Sequence, residues 1–155
     1  FFKTELMKIA IYSRGIENTQ LEDIELLVQE LVKNGVEPVF FQDFFNQFYS
    51  AIDLESNYST FNSSADMDLS IDCMISLGGD GTLLDTVTLV KDTGIPVLGI
   101  NYGRLGFLAN IGKEELQAAV DALVQRKYVL DKRTLMHLDA DIPLFGETPY
   151  ALNEF

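Results

Sequence analysis

Five residues, Gly78-Gly79-Asp80-Gly81-Thr82, join the apolar run 73–77 to a segment of helical spacing. A glycine turn between a buried strand and a helix belongs at the carboxyl edge of a parallel sheet, so this stretch narrows the possible folds more than any other. Three glycines remove Cβ atoms and permit positive φ, which lets backbone N–H groups close on an anion at a helix start. Asp80 does not suit simple anion binding. A carboxylate beside phosphate is repulsive unless it faces a metal or takes a proton from an attacking hydroxyl, and both belong to phosphoryl transfer. An isolated Gly-Gly-Asp-Gly reads equally well as a tight turn with an Asp cap. The turn is neither a Walker loop, since no Lys-Ser/Thr follows its last glycine, nor a G-x-G-x-x-G fingerprint.

The surroundings predict an α/β chain with a flavodoxin- or Rossmann-like parallel sheet and flanking helices. Residues 8–12 form a short apolar run that ends in Ser13-Arg14-Gly15, as a first strand and its exit loop would. From 18 to 33 the apolar positions Leu21, Ile24, Leu27, Val28, Leu31 and Val32 recur at helical spacing, and Asn34-Gly35 closes the helix. Residues 36–41 read as a second strand, which makes a parallel crossover unit. Residues 43–70 predict a short aromatic-rich helix and a surface excursion, with the aromatics as core or lid packing because no basic residue stands among them. Residues 71–77 and 97–100 predict the third and fourth strands, separated by a helix over 82–91, and 113–126 predicts an amphipathic helix. The fourth strand ends in a second glycine-rich turn, Asn101-Tyr102-Gly103-Arg104-Leu105-Gly106-Phe107-Leu108, so two consecutive strands deliver glycine loops to one crevice. The pattern changes after residue 127. Residues 128–155 carry period-2 segments broken by Pro143, Gly146 and Pro149, and read as the opening strands of a β-rich second lobe beyond an α/β lobe over 1–127. With no terminating signal at its end, the sequence is expected to be a truncated piece of a longer protein.

Charge and composition narrow the partners. The formal net charge of −13 argues against nucleic acid, whose backbone is bound by Lys and Arg. Small phosphorylated ligands remain compatible, because only the local field matters to them. No apolar run approaches the roughly 20 residues of a membrane helix, and the first residues lack a signal-peptide layout, so a soluble cytoplasmic protein is expected. The single Cys73 lies in an apolar run and reads as a buried core thiol.

Four motifs in order carry a resemblance: Gly-Gly-Asp-Gly-Thr after an apolar strand, the loop 101–108, Arg133-Thr134-Leu135-Met136, and Leu152-Asn153-Glu154. Together they resemble the NAD kinase family over residues 7–155. The first motif is shared with diacylglycerol, sphingosine and phosphofructo-kinases; the other three select the family. The resemblance implies transfer of the γ-phosphoryl group of ATP, with Mg²⁺ or another divalent cation, to the 2′-hydroxyl of the adenosine ribose of NAD, giving NADP. It makes Asp80 the proton acceptor, with Gly78, Gly79, Gly81 and Thr82 shaping the turn and contacting phosphates or ribose. Asn153 and Glu154 would bind the NAD riboside, and Phe107 would wall the NAD pocket. It also implies a homo-oligomeric full-length protein that takes ATP or polyphosphate as donor. The family's C-terminal lobe contributes much of the NAD pocket, so this chain alone is expected to turn over little or not at all.

Asp85 departs from the family's commonest pattern, in which a basic or imidazole side chain follows the turn's Thr by about three residues. A carboxylate cannot pair with phosphate, so Arg104 or a residue of the second lobe is expected to take over. His137 stands without a nearby Cys or second His and reads as a packed or surface residue. Arg104 is divided between surface charge and phosphate contact, and Tyr102 reads as loop packing. Two other classes stay open: a lipid or sugar kinase of the wider Gly-Gly-Asp-Gly group, and a non-catalytic nucleotide-binding module in which Asp80 has no chemical role.

Overall fold

The computed structural model of the chain describes residues 5–15, 17–51, 57–104, 106–142 and 149–152. Among the described residues, eight strands and five α-helices follow one another as β1 (Met7–Tyr12), α1 (Leu21–Lys33), β2 (Val36–Phe41), α2 (Gln42–Ala51), β3 (Ser59–Phe61), β4 (Cys73–Gly78), α3 (Asp80–Asp85), α4 (Val87–Val90), β5 (Val97–Asn101), β6 (Ile111–Gly112), α5 (Leu116–Val124), β7 (Met136–His137) and β8 (Tyr150–Ala151). The first six strands form one parallel sheet in the order β3-β2-β1-β4-β5-β6. From β1 the chain winds outward to β3, then returns to the centre at β4 and winds outward the other way. The boundary between β1 and β4 is therefore the switch point of a doubly wound sheet, where the two connections leave a crevice at the carboxyl ends.

Both faces of the sheet are covered, and the strand period assigns residues to them. On β1, Ile9 and Ile11 join Phe40, Ile75, Leu77 and Ile100 against Ile24, Leu27 and Leu31 of α1, Phe44 and Phe48 of α2, and Val120 of α5. Ala10 and Tyr12 point the other way, with Val39, Phe61 and Met74, against Leu89 and Val90 of α4. Burial on both faces explains why these strands read as continuous apolar runs. The aromatic stretch of α2 forms ring contacts within this core: Phe40 meets Phe44, Phe45, Phe48 and Tyr58 at centroid distances of 5.3–6.2 Å. Cys73 is buried here, and desolvation pushes its thiol up to about 12.

Three details differ from the expected elements. The excursion after α2 contains β3, a three-residue strand that pairs with β2 through Val39–Ser59 to Phe41–Phe61. β6 extends the far edge by two residues. The helix after the glycine turn starts at Asp80 and is divided at Thr86, whose Oγ1 donates to the Leu83 carbonyl at 2.6 Å and so competes with the helix's own bonding. Beyond α5, β7 and β8 form an antiparallel pair, Met136 to Ala151 and His137 to Tyr150.

Candidate active site

Three loops leave the carboxyl ends of β1, β4 and β5 side by side. Register makes Gly78 the partner of Asn101, and the Tyr102 N–H donates to the Gly78 carbonyl at 3.0 Å, so the two glycine loops depart together. Ser13, buried at the end of β1, donates from Oγ to the Leu77 carbonyl at 2.9 Å and ties the third loop to β4.

Asp80 locks the two glycine loops to one another. Its Oδ2 accepts the Phe107 N–H at 2.8 Å, and its Oδ1 accepts those of Leu108 at 3.0 Å and Ala109 at 2.9 Å. The Ala109 and Phe107 amides are the main reason that its carboxyl lies below the usual carboxylate range, against a small opposing effect of burial. A carboxylate offers roughly four acceptor positions, so among the described residues about one, on Oδ2, is left for another donor. Gly106 is required by this contact, since a Cβ there would overlap the Asp80 carboxylate.

In the turn, Gly78 serves space rather than left-handed backbone, whereas a Cβ on Gly79 would meet nothing within 4 Å. Gly79 has φ −133°, and among the described glycines only Gly35, Gly78 and Gly94 have positive φ, with Gly78 at 158°, close to extended. A Cβ on Gly78 would lie 2.8 Å from the Cβ of Thr82, which is buried directly over it. Gly79 caps α3 without a side chain, which leaves the first N–H groups of the helix to solvent or ligand.

A crevice of about 410 Å³ occupies the switch point, and its lining includes Ser13, Arg14, Gly15, Gly78, Thr82 and Tyr102. The Tyr102 hydroxyl is buried and has no hydrogen-bond partner among the described residues, and desolvation, aided by the charge of Asp23, raises its pKa. Asp85 does not face the crevice as an unpaired acid. Arg14 donates to it from Nε at 2.5 Å and from Nη2 at 2.8 Å, and the Tyr12 hydroxyl donates at 2.9 Å. Burial alone would raise the Asp85 carboxyl, but the Arg14 and Tyr12 hydrogen bonds with the Arg14 charge outweigh it, so its pKa is lowered. The same burial, followed by the bond to Asp85, pushes the Tyr12 phenol up to about 12.

The turn has two sides. Gly78 and Thr82 line the crevice, whereas Asp80 faces the loop that carries Phe107, whose side chain is 96% exposed. Arg104 is exposed; its carbonyl, with that of Ala109, receives the Asn101 side-chain amide at 2.7 and 3.0 Å. His137 is exposed and lies 4.9 Å, ring to ring, from Tyr150. Asn153 and Glu154 lie outside the described residues. Sequence reasoning missed the braces: buried Asn101, which also accepts the Gly103 N–H at 2.8 Å, Ser13, and the Tyr12–Arg14–Asp85 cluster. A polar residue that ends an apolar strand before a glycine loop was the available signal for Asn101 and Ser13. The pairing of Arg14 with Asp85 spans 71 residues and left no local trace.

Fold and site define a doubly wound α/β domain with a glycine-cradled carboxylate at the carboxyl edge of its sheet. Residues 9–128 match the family model for the ATP-NAD kinase N-terminal domain. The chain belongs to the NAD kinase family. It is 38% identical over 150 residues to the NAD kinase of Cytophaga hutchinsonii and 37% identical to that of Flavobacterium johnsoniae, in each case across 96% of this chain and 51% of the relative. The chain thus spans about half the length of these relatives. A yeast NADH kinase solved with NADH shares the fold, with a TM-score of 0.70 over 90% of this chain and 45% of that one at 21% identity.

Proposed function

We propose that the protein carrying this chain transfers the γ-phosphoryl group of ATP to the 2′-hydroxyl of the adenosine ribose of NAD, with Asp80 as the acceptor of the hydroxyl proton. The observation that carries this reading is the Asp80 carboxylate, fixed by three amides with one Oδ2 position left open among the described residues. Held ionised in this way, it is a weak base in the ground state. In a loose phosphoryl-transfer transition state the hydroxyl loses its proton late, so orienting the oxygen matters most, followed by taking its proton as the new P–O bond forms and the bond to the leaving ADP breaks. We assign the donor to the switch-point crevice on the Gly78–Thr82 side and the acceptor ribose to the Asp80 side, next to Phe107, with Asn153 and Glu154 as further ribose contacts. A divalent cation fits this arrangement as a companion of the donor's phosphates, which it would neutralise. Among the described residues no group of three or more potential ligands is assembled, and Asp85 is committed to Arg14 and Tyr12.

Residues 128–155 begin the second lobe, and the β7–β8 pair supports this. The net charge of −13 disfavours nucleic acid, and no helix among the described residues is long and apolar enough to cross a membrane. We take the whole protein to be a cytoplasmic homo-oligomer using ATP or polyphosphate.

The test is NADP formation from NAD, ATP and Mg²⁺ by this chain beside the Cytophaga hutchinsonii relative, with Asp80→Asn in each. Activity in the relative, little in this chain, and a loss of kcat with NAD binding retained in the variant are expected. Unchanged turnover in Asp80→Asn would reject the catalytic role, and turnover of a lipid or sugar in place of NAD would favour the wider kinase group.

A further inference from the structure

We propose that Arg14 is the side chain that receives a phosphate of the nucleoside triphosphate, and that Asp85 is the positioning residue that presents it. The inference rests on the assignment of the donor to the switch-point crevice. Arg14 follows β1 by two residues and lines that crevice with Ser13, Gly15, Gly78 and Thr82. Its guanidinium is gripped along one edge. Nε and Nη2 donate to Asp85, and Nη2 also donates to the Gly81 carbonyl at 3.1 Å. Those three bonds use the single Nε hydrogen and both Nη2 hydrogens, so the Nη1 pair is the part with no hydrogen-bond acceptor among the described residues. Nη1 lies over the glycine turn, 3.2 Å from where a Cβ on Gly81 would be. Asp85 is itself held by the Tyr12 hydroxyl, on a residue only 9% exposed, so the grip is anchored in the sheet rather than in solvent.

The chemistry follows from that geometry. The free Nη1 keeps two N–H donors and the guanidinium charge for phosphate oxygens, and a side chain immobilised before the ligand arrives loses less freedom on binding. Asp85 is shielded from the phosphate by the same bonds, since Tyr12 and Arg14 occupy the carboxylate. The cation absent from position 85 is thus supplied from the end of β1, across the turn, by the residue that position 85 orients. Arg14's side chain as a whole remains 60% exposed, which leaves an approach open.

The test is calorimetric titration of ATP, and separately of inorganic tripolyphosphate, into this chain and into Arg14→Gln, Arg14→Lys, Asp85→Asn and the Arg14→Gln/Asp85→Asn double variant, with NAD titrated in parallel. Losing a charge-assisted bond to phosphate is expected to weaken both triphosphates about tenfold in Arg14→Gln. Arg14→Lys, which keeps the charge but not the two-nitrogen edge that Asp85 grips, should recover only part of that loss. Asp85→Asn should weaken them less than Arg14→Gln does, and should add nothing in the Arg14→Gln background, because a positioning residue acts only through what it positions. NAD affinity should not move. Arg14→Gln and Arg14→Lys both within twofold of wild type would overturn the proposal, as would an Asp85→Asn loss that persists in full without Arg14. A wild-type chain that binds neither triphosphate would overturn the proposal and the donor assignment together. A null result for Asp80→Asn turnover, by contrast, would remove the catalytic reading and leave the Arg14 titrations to stand on their own.

Discussion

At the scale of single residues, the site is organised by carboxylates that are held ionised. Asp80 owes its lowered pKa to the Ala109 and Phe107 amides; at Asp85 the bonds from Arg14 and Tyr12 overcome the effect of burial. A group whose folded pKa lies below its unfolded value stabilises the fold above the unfolded value and loses that contribution as pH falls through the folded one. Stability from these two acids should therefore be complete above about pH 4 and decline below it. Urea unfolding between pH 2.5 and 6 should show an acid limb that becomes shallower in Asp80→Asn and in Asp85→Asn. Gly106 gives a sharper test of the same lock. Gly106→Ala puts a carbon into the Asp80 carboxylate, and the overlap forces the loops apart. Overpacking of this kind costs about 1–3 kcal/mol, or roughly 2–10 °C of Tm for a chain of this size. An unchanged Tm in a thermal scan would mean that Asp80 does not hold the 106–109 loop.

Among the elements, legibility followed length and burial. β1, β2, β4 and β5 were visible because their apolar runs are buried on both faces, and α1 because its buried stripe, Ile24, Leu27, Val28 and Leu31, keeps helical spacing. β3 and β6 were not visible. They are three and two residues long, too short for a period to register, and they exist because neighbouring strands offer free edges. The division between α3 and α4 was hidden for a different reason: Thr86 is compatible with a helix interior, and only the bond from its hydroxyl to Leu83 reveals the break. α2 was legible as an aromatic helix, and its packing makes a strong prediction. Phe48 is fully buried and stacks near Phe44 and Phe40 at 5.9 and 6.1 Å. Phe48→Ala should remove about 3–5 kcal/mol from the unfolding free energy, measured by circular dichroism in urea, whereas a cost under 1 kcal/mol would show that α2 does not seal the core.

For the whole molecule, the decisive quantity is charge. The chain carries 24 acidic and 11 basic residues, so most carboxylates have no cation to pair with. The described residues make six ion pairs, from Lys8–Glu37 to Arg133–Asp131, and solvent-exposed pairs of this type contribute about 0–1 kcal/mol each. The net charge of −13 repels itself in the compact state, and that repulsion acts over a distance that salt shortens to about 8 Å at physiological ionic strength. Screening should therefore relieve more repulsion than it removes attraction. The melting temperature should rise as NaCl increases from 20 mM to 500 mM, with most of the gain in the first 150 mM. The same field opposes the approach of any anionic ligand, so the phosphate site proposed above depends on local groups at the switch point, Arg14 and the amides of the glycine turns, rather than on a broad basic surface. A melting temperature that fell with salt would show that the six pairs outweigh the excess acids.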